Sequence, residues 1–462
     1  MQVIRSMRRS ERRRRGWYRA VAAAGVAALA AGTLLASGAA SGASPRTASS
    51  TSSARDASSS QCGSLTVYED STRLPAVQDY IKAHSCVTVS NTVFGYTAGE
   101  LQAKIGLWNK EGSGWPDLIW DPTTPDAGWL DSTQYHYAAA LNHGLVPQSE
   151  INQWAYNSLS VCTSDGVVYC LRNDIAANVL WYNAPLMKRF GYTVPTTWAQ
   201  YQAIGEKVAK QHPGYVIGTV GDAYADEVYF QASECPSNEI LGTLKVEIDT
   251  ASPDCTRMAN LLDPLIKDGS VSTLAVTSPD YIKKYGINDH TLMEVGATWY
   301  GDYIFEPEFK PAKHTWGAAD PLTFPGDSYT GDVGGGIWEV SSHASPAVQK
   351  LAAEAAYWLT SAPAYQATAP TFPANKLAAK IWIKGLLASG DFANSNLPSV
   401  FVTASNEVWP GYGYLLFYPG DVWADTVVPA LVAGKSLASE LPAWGTALTD
   451  MARTFGYTVV SS

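Results

Sequence analysis

The stretch NDIAANVLWYNAPLMKRFGYTVPTTWAQYQAIGEKVAK, Asn173 to Lys210, decides how the rest of the chain is read. Val179, Leu180, Trp181 and Tyr182 form an apolar run without alternation, the pattern of a strand buried on both faces, as in a parallel sheet covered by helices. Asn183 stops the run and is a good N-cap. Leu186, Met187 and Phe190 then supply the apolar face of a short helix, which Gly191 can end in the left-handed conformation. Thr197 and Gln200 have capping-box spacing, and Tyr201, Ile204 and Val208 share one face of a second helix.

Working outward, the same alternation appears upstream. Ser64–Tyr68 reads as a strand, Val77, Tyr80 and Ile81 as a helix face, and Val87–Phe94 as a second strand. Thr97 and Glu100 are placed to cap a helix carrying Leu101, Ile105 and Trp108, and residues 116–120, PDLIW, are a third strand. Alternating strands and helices predict parallel sheets with helices on both faces. Downstream, Met258, Leu261, Leu262, Leu265 and Ile266 mark a helix, Ser345-Pro346 opens another, and a last helix carries Trp444, Leu448, Met451 and Phe455 before Gly456.

An apolar strand ending Tyr182-Asn183, a short helix ending at Gly191, and Pro195-Thr196-Thr197-Trp198 opening an amphipathic helix together resemble the extracellular solute-binding proteins of ABC importers, in their sugar-binding branch (family 1). Three further segments match in the same order: LMEVGATWYGDY at 292–303, Gly334-Gly335-Gly336-Ile337-Trp338-Glu339-Val340, and Trp358-Leu359-Thr360-Ser361. The resemblance spans about Gly63 to Tyr457. It implies an α/β, two-lobed, periplasmic-binding-protein-like (type II) fold, each lobe a mainly parallel sheet flanked by helices and joined by hinge crossings. The first lobe is expected over 62–172, with a return over 321–361. The second is expected over 173–320 and 362–462, with the chain crossing back around Trp316–Phe324.

The N-terminus is a targeting segment: Arg8, Arg9, Arg12 to Arg15 and Arg19 precede an Ala-rich apolar run from Ala20 to Ala36. Residues 1–43 read as a cleaved signal peptide, with Arg14-Arg15-Gly16-Trp17-Tyr18 resembling a twin-arginine export signal, and 44–61 as a Ser/Thr/Ala linker. The protein is therefore expected outside the membrane, secreted or associated with the cell envelope. Taking away residues 1–43, with eight Arg and one Glu, moves the formal net charge from −10 to −17. No basic cluster survives export, which excludes nucleic acid as a partner.

Six cysteines fall in the exported part, and an even count outside the cell implies disulfides. Of fifteen possible connectivities the economical one joins neighbours: Cys62 with Cys86, Cys162 with Cys170, Cys235 with Cys255. Asp165-Gly166 is a strong two-residue turn signal that brings Cys162 and Cys170 together. No pair has the close Cys-x-x-Cys spacing of a zinc or redox site, so neither metal nor cofactor is expected.

A solute-binding protein needs a crevice that stacks and hydrogen-bonds its ligand, and such crevices lie at the carboxyl ends of parallel strands. A sugar shows one C–H face and a rim of hydroxyls, matched by aromatic rings and by carboxylates or amides. The candidates that pair such groups near strand ends are Tyr68, Glu69 and Asp70; Trp120 and Asp121; Asn173 and Asp174 at the first crossing; and Trp299, Tyr300 and Asp302 around Gly301. The resemblance adds Gly335 and Trp338, and the aromatic loop of Trp409, Tyr412 and Tyr414. The function implied is capture of a sugar or oligosaccharide between closing lobes by a monomer that delivers it to an ABC permease, with no catalysis. Two other readings stay open: the same fold binding a polyamine or other organic cation, and a secreted glycoside hydrolase using Asp121 and Asp302 as its carboxylates.

Overall fold

The computed structural model describes residues 62–95, 100–121, 136–155, 158–242, 244–367, 369, 371–389, 391–411 and 415–460. Thr97, the proposed cap of the helix Glu100–Glu111, lies outside them. In chain order the strands are β1 (Gly63–Asp70), β2 (Val87–Phe94), β3 (Leu118–Asp121), β4 (Thr163–Ser164), β5 (Val167–Val168), β6 (Cys170–Arg172), β7 (Asn178–Asn183), β8 (Gly218–Thr219), β9 (Glu239–Gly242), β10 (Lys245–Glu247), β11 (Val271–Ser272), β12 (Met293–Ala297), β13 (Trp316–Ala319), β14 (Ile337–Val340) and β15 (Thr458–Val460).

The first-lobe sheet has the order β2-β1-β3-β14-β6. β1 is parallel to β2 and β3, and β14 is antiparallel to both β3 and β6, so β14 alone runs against the other four. The second lobe repeats the arrangement. β11 is parallel to β8, a parallel bridge from Val216 to Thr291 joins β8 to the approach of β12, and β7 lies antiparallel between β12 and β13. β7, whose burial pattern suggested a strand among parallel neighbours, is thus the one reversed strand of its sheet. Its reading as doubly buried holds: Val179, Leu180 and Trp181 are fully buried, with Trp181 packed among Phe305, Phe392 and Phe401. Burial on both faces reports helical cover, not the direction of the neighbouring strands. Each reversed strand is the one the chain enters directly from the other lobe.

The caps follow the sequence. Asn183 accepts from the Leu186 amide, and Gly191 ends that helix at φ 72°. Thr197 Oγ1 accepts from the Gln200 amide, but Gln200 Oε1 reaches back to the amide of Thr196 in place of Thr197. The last helix, Leu437–Thr454, buries Trp444 and Leu448, whereas Met451 and Phe455 are 38% and 36% exposed. The buried face runs through Leu441, Trp444, Leu448 and Ala452, which leaves Met451 at its flank, and Phe455, just past the helix, keeps a ring contact with Phe417 at 5.6 Å.

Three strands of chain connect the lobes. Residues 173–178 lie between two antiparallel partners: Asn178 N–H donates to Gly331 O, Val333 N–H to Ala176 O and Asn173 N–H to Gly336 O on one side, and Ile175 N–H to Phe372 O and Ala374 N–H to Asn173 O on the other. The return crossing expected around Trp316–Phe324 is displaced. Trp316–Ala319 is β13 of the second sheet, Phe324 packs on Trp198, and Thr330 Oγ1 still donates to Asn178 O, so the chain leaves the second sheet over 331–336. An apolar strand reads alike on either side of a hinge, so spacing alone did not place the crossing.

All three cysteine pairs form, with Cα separations of 5.0, 5.0 and 4.6 Å for Cys62–Cys86, Cys162–Cys170 and Cys235–Cys255. Asp165 and Gly166 both take positive φ, 47° and 78°, in the two-residue turn joining antiparallel β4 and β5. Replacing Cys162 and Cys170 together by alanine should cost about 2–3 kcal/mol in urea unfolding. An unchanged midpoint would show that the hairpin holds itself.

Candidate functional site: the facing strand ends

The crossings attach at one edge of each sheet, and these edges face one another. On the first lobe the edge runs through Asp70, Asp121, Ile337 and Arg172, the carboxyl ends of β1, β3 and β6 and the start of β14. On the second it includes Asn178 and Ala297, paired across β7 and β12, and the residues that follow β8 and β12. A crevice at these ends is where an open α/β sheet receives a ligand.

The centre of the first-lobe edge is Arg73, which no sequence pattern singled out. Its side chain is 4% exposed, its guanidinium lies 4.2 Å over the Trp120 ring, and Nη2 donates to Asp174 Oδ1 at 3.1 Å. Burial disfavours the charge, but Asp174 and then Tyr365, Tyr303 and Asp70 outweigh it and hold the guanidinium above its ordinary value. Arg73 Nε has no hydrogen-bond partner. Tyr303 belongs to the second lobe, in the helical turns Gly301–Phe309, and as a neutral phenol it adds no charge to the Arg73 site at ordinary pH.

Asp174 Oδ1 accepts three donors: Arg73, Asn173 Nδ2 at 2.9 Å and the Gly336 amide at 3.2 Å. Gly335 sits beside it at φ 93°, where an added Cβ would stand 2.6 Å from the Asp174 carbonyl, and at Gly336 it would stand 1.9 Å from the Trp120 ring. Backbone must approach this closely, and only glycine permits it. The structure therefore gathers Trp120, Asn173, Asp174 and Gly335 around Arg73.

On the second lobe, Trp299 is half-buried, and its Nε1 donates to the Val333 carbonyl of the return crossing at 3.0 Å. Its ring neighbours are Tyr300 at 4.8 Å, Tyr224 at 6.1 Å and Tyr303 at 6.4 Å between centroids. Asp302 is half-buried in the first turn after Trp299.

The remaining described candidates are packed or hydrogen-bonded within the protein. Tyr68 stacks on Phe94 at 4.5 Å inside the first lobe, Tyr300 is 1% exposed, and Trp338 is fully buried at 5.3 Å from Trp120. Glu69 is buried with Oε1 on Asn91, and burial pushes its carboxyl up to about 7. Asp70 Oδ1 accepts from the amides of Thr72 and Arg73, fixing the turn before the helix Leu74–Ala83. Asp121 is fully buried, and Trp409 is 6% exposed, its amide donating to Thr330 O. Tyr412 and Tyr414 lie outside the described residues.

Two further features were not legible in the sequence. Arg172 and Asp332, both fully buried, form an ion pair across the crossings. Arg172 also donates to the carbonyls of Asp174 and Gly334, while Asp332 Oδ1 accepts from the Ala176 amide. Beyond the end of β8, buried Asp222 accepts from the Val276 amide at 3.0 and 3.2 Å, and burial pushes its carboxyl up to about 7 despite that bond. Its folded pKa stands above its unfolded value, so its contribution to stability is complete below about pH 4 and is lost as pH rises towards 7. Asp222→Asn, which keeps the neutral shape, should flatten this part of the decline in Tm between about pH 4 and 7, a contribution on the order of 4 kcal/mol. A variant whose profile parallels the wild type would show that Asp222 is ionised in the fold.

Residues 75–385 match the family described as bacterial extracellular solute-binding protein. A search of curated proteins found no match. Among solved structures, the galacto-N-biose/lacto-N-biose I-binding protein of an ABC transporter from Bifidobacterium longum is 18% identical, with 87% of this chain and 100% of that one covered, at a TM-score of 0.69. The ABC-transporter-associated binding protein from B. animalis subsp. lactis Bl-04, in complex with beta-1,6-galactobiose, is 20% identical over 86% and 100%, at 0.65. The cyclic alpha-maltosyl-1,6-maltose binding protein from Arthrobacter globiformis is 16% identical over 85% and 100%, at 0.64. With the fold matched along nearly its whole described length and the family matched over two-thirds of the sequence, this chain belongs to the bacterial extracellular solute-binding proteins and has their two-lobed, periplasmic-binding-protein-like fold.

Proposed function

We propose that the protein captures a neutral sugar or short oligosaccharide between its lobes outside the cell and delivers it to the permease of an ABC importer. The observation that carries this reading is the opposition of two unlike walls at the strand ends. The second lobe offers the half-exposed rings of Trp299, Tyr224 and Tyr303 with Asp302, and the first offers the half-buried backbone at Gly335, backed by the nearly buried polar groups of Arg73 and Asn173. Rings take a C–H face and the polar wall takes hydroxyls. Membership of a binding-protein family supports capture over cleavage. So does the complete burial of Asp121, one of the two carboxylates a hydrolase would need at the surface of the crevice.

A ligand that touches Trp299 and Asn173 together spans the crossings, so its binding energy favours the closed arrangement. A thermal-shift screen of mono- and disaccharides against spermine should raise Tm with a saccharide and not with the polyamine. Solution scattering should then show a smaller radius of gyration with that saccharide, and Trp299→Ala should weaken binding by about 2 kcal/mol and reduce closure. Stabilisation by spermine alone would replace the sugar by an organic cation. New reducing ends from an oligosaccharide would establish an enzyme.

A further inference from the structure

A cavity of about 430 Å³ opens on the first lobe at the end away from the crossings. β14 starts at the crossing with Ile337 and ends at Val340, and the cavity wall includes Ser342, so the length of the sheet separates it from the crevice. Its volume falls within the roughly 300–1,000 Å³ of small-molecule sites.

The floor is alanine. Ala138 bridges to Ser341 and the Ala139 amide donates to Val340 O, so the backbone polar groups here are engaged by the sheet and methyl groups face a ligand together with Leu145. The rim is polar: the exposed imidazoles of His136 and His143 and the hydroxyl of Ser342 stand at the mouth. Half-buried Gln349 donates from Nε2 to the carbonyls of Ser342 and Ala344, both at 3.0 Å, which fixes its amide and leaves Oε1 as an acceptor.

One wall is the ring of Tyr169, whose position is set by its amide bond to Cys162 O and by the adjacent Cys162–Cys170 disulfide. The loop opposite is pinned to the same hairpin by Asn142, which accepts from the Val168 amide and donates to Gly166 O. The cavity is therefore preformed.

None of the residues lining it is Asp, Glu, Lys or Arg. An anion or a polyamine would enter without a counter-charge. Two imidazoles fall short of a metal site, and no group of three or more His, Cys, Asp or Glu able to hold a metal occurs among the described residues. An apolar floor, one aromatic wall and a rim of imidazole, hydroxyl and amide oxygen match a ring with a C–H face and peripheral hydroxyls.

We propose that this cavity is a second, peripheral saccharide site that takes one or two units of a neutral glycan, independently of what the interlobe crevice binds. Such a site would hold the protein on a polysaccharide surface while the crevice stays free to capture solute.

The test uses the exported chain labelled at histidine, titrated with cellobiose and with N,N′-diacetylchitobiose while the imidazole resonances of His136 and His143 are followed. Saturable shifts in the millimolar range with either disaccharide are expected, weakened about tenfold or more by Gln349→Leu. That substitution should leave thermal stabilisation by a crevice ligand unchanged. Tyr169→Phe, which keeps the ring, should retain binding. The proposal is overturned if neither disaccharide moves the two histidines, if spermine or inorganic phosphate moves them equally, or if Gln349→Leu binds as the wild type does. Because the readout sits on histidines at the far end of the lobe, a crevice that binds no sugar does not affect this result.

Discussion

Asp332→Ala should lower the stability of the protein by about 3–5 kcal/mol, the usual consequence of removing one partner of a buried ion pair. Arg172 and Asp332 are both fully buried, and the substitution takes from the interior guanidinium its ion-pair partner while the carbonyls of Asp174 and Gly334 stay in place as acceptors. It also strips the Ala176 amide of its carboxylate partner. Three segments meet there: the end of β6, the outgoing crossing and the return crossing. The defect is thus at the hinge, not in either lobe. In urea the midpoint should fall without a change in slope, since the surface exposed on unfolding is nearly the same. Asp332→Asn keeps an oxygen for the Ala176 amide and should lose less. A loss below about 1 kcal/mol for Asp332→Ala would mean that water or a neighbouring group replaces the carboxylate, and the pair would not be what fixes the crossings.

The second large effect is expected at Asp174. As a ligand group alone it would weaken solute binding by about 1.5–3 kcal/mol when truncated, with little change in stability. The geometry assigns it more than that. Its Oδ1 already accepts from Arg73, Asn173 and Gly336, and Asp174→Ala leaves Arg73, 4% exposed over Trp120, without its carboxylate. Stability should therefore fall by about 3 kcal/mol or more, and on the proposed reading, in which Arg73 and the backbone at Gly335 form one wall of the crevice, affinity should fall with it. Asp174→Asn, which keeps an acceptor oxygen, separates charge from hydrogen bonding: it should retain more stability than alanine. Urea unfolding of the free protein and calorimetry with the saccharide found by thermal shift read the two effects apart. An Asp174→Ala protein with wild-type stability and weakened binding would return Asp174 to a purely ligand-facing role.

Local rules made much of the architecture legible. Asn183, Gly191, Thr197 and Ser345 mark helix ends by hydrogen bonds and backbone angles that depend on near neighbours, and the structure has each of them. The hairpin of Cys162 and Cys170 is local in the same sense, because Asp165-Gly166 turns the chain within eight residues. The order of strands and helices was enough to predict α/β layers of helix-covered sheet, while the two lobes followed from the family resemblance. Trp299 and Asp174 could be nominated from the sequence because each sits just past a strand end.

What only the tertiary structure decided is which side chains meet across long sequence separations. Arg73 reaches Asp174 and Arg172 reaches Asp332, pairings across 101 and 160 residues that no periodicity announces. Tyr68 and Tyr300 are aromatic and near strand ends like Trp299, yet they are buried, as is Trp338 inside β14. An aromatic ring next to a strand end points into a lobe or into the crevice according to the twist and helical cover of its sheet, which are properties of the assembled layers. The reversal of β7 and β14 belongs here too. A strand's own sequence sets its burial, but its direction relative to its neighbours follows from where the chain re-enters each sheet, and the hinge fixes that.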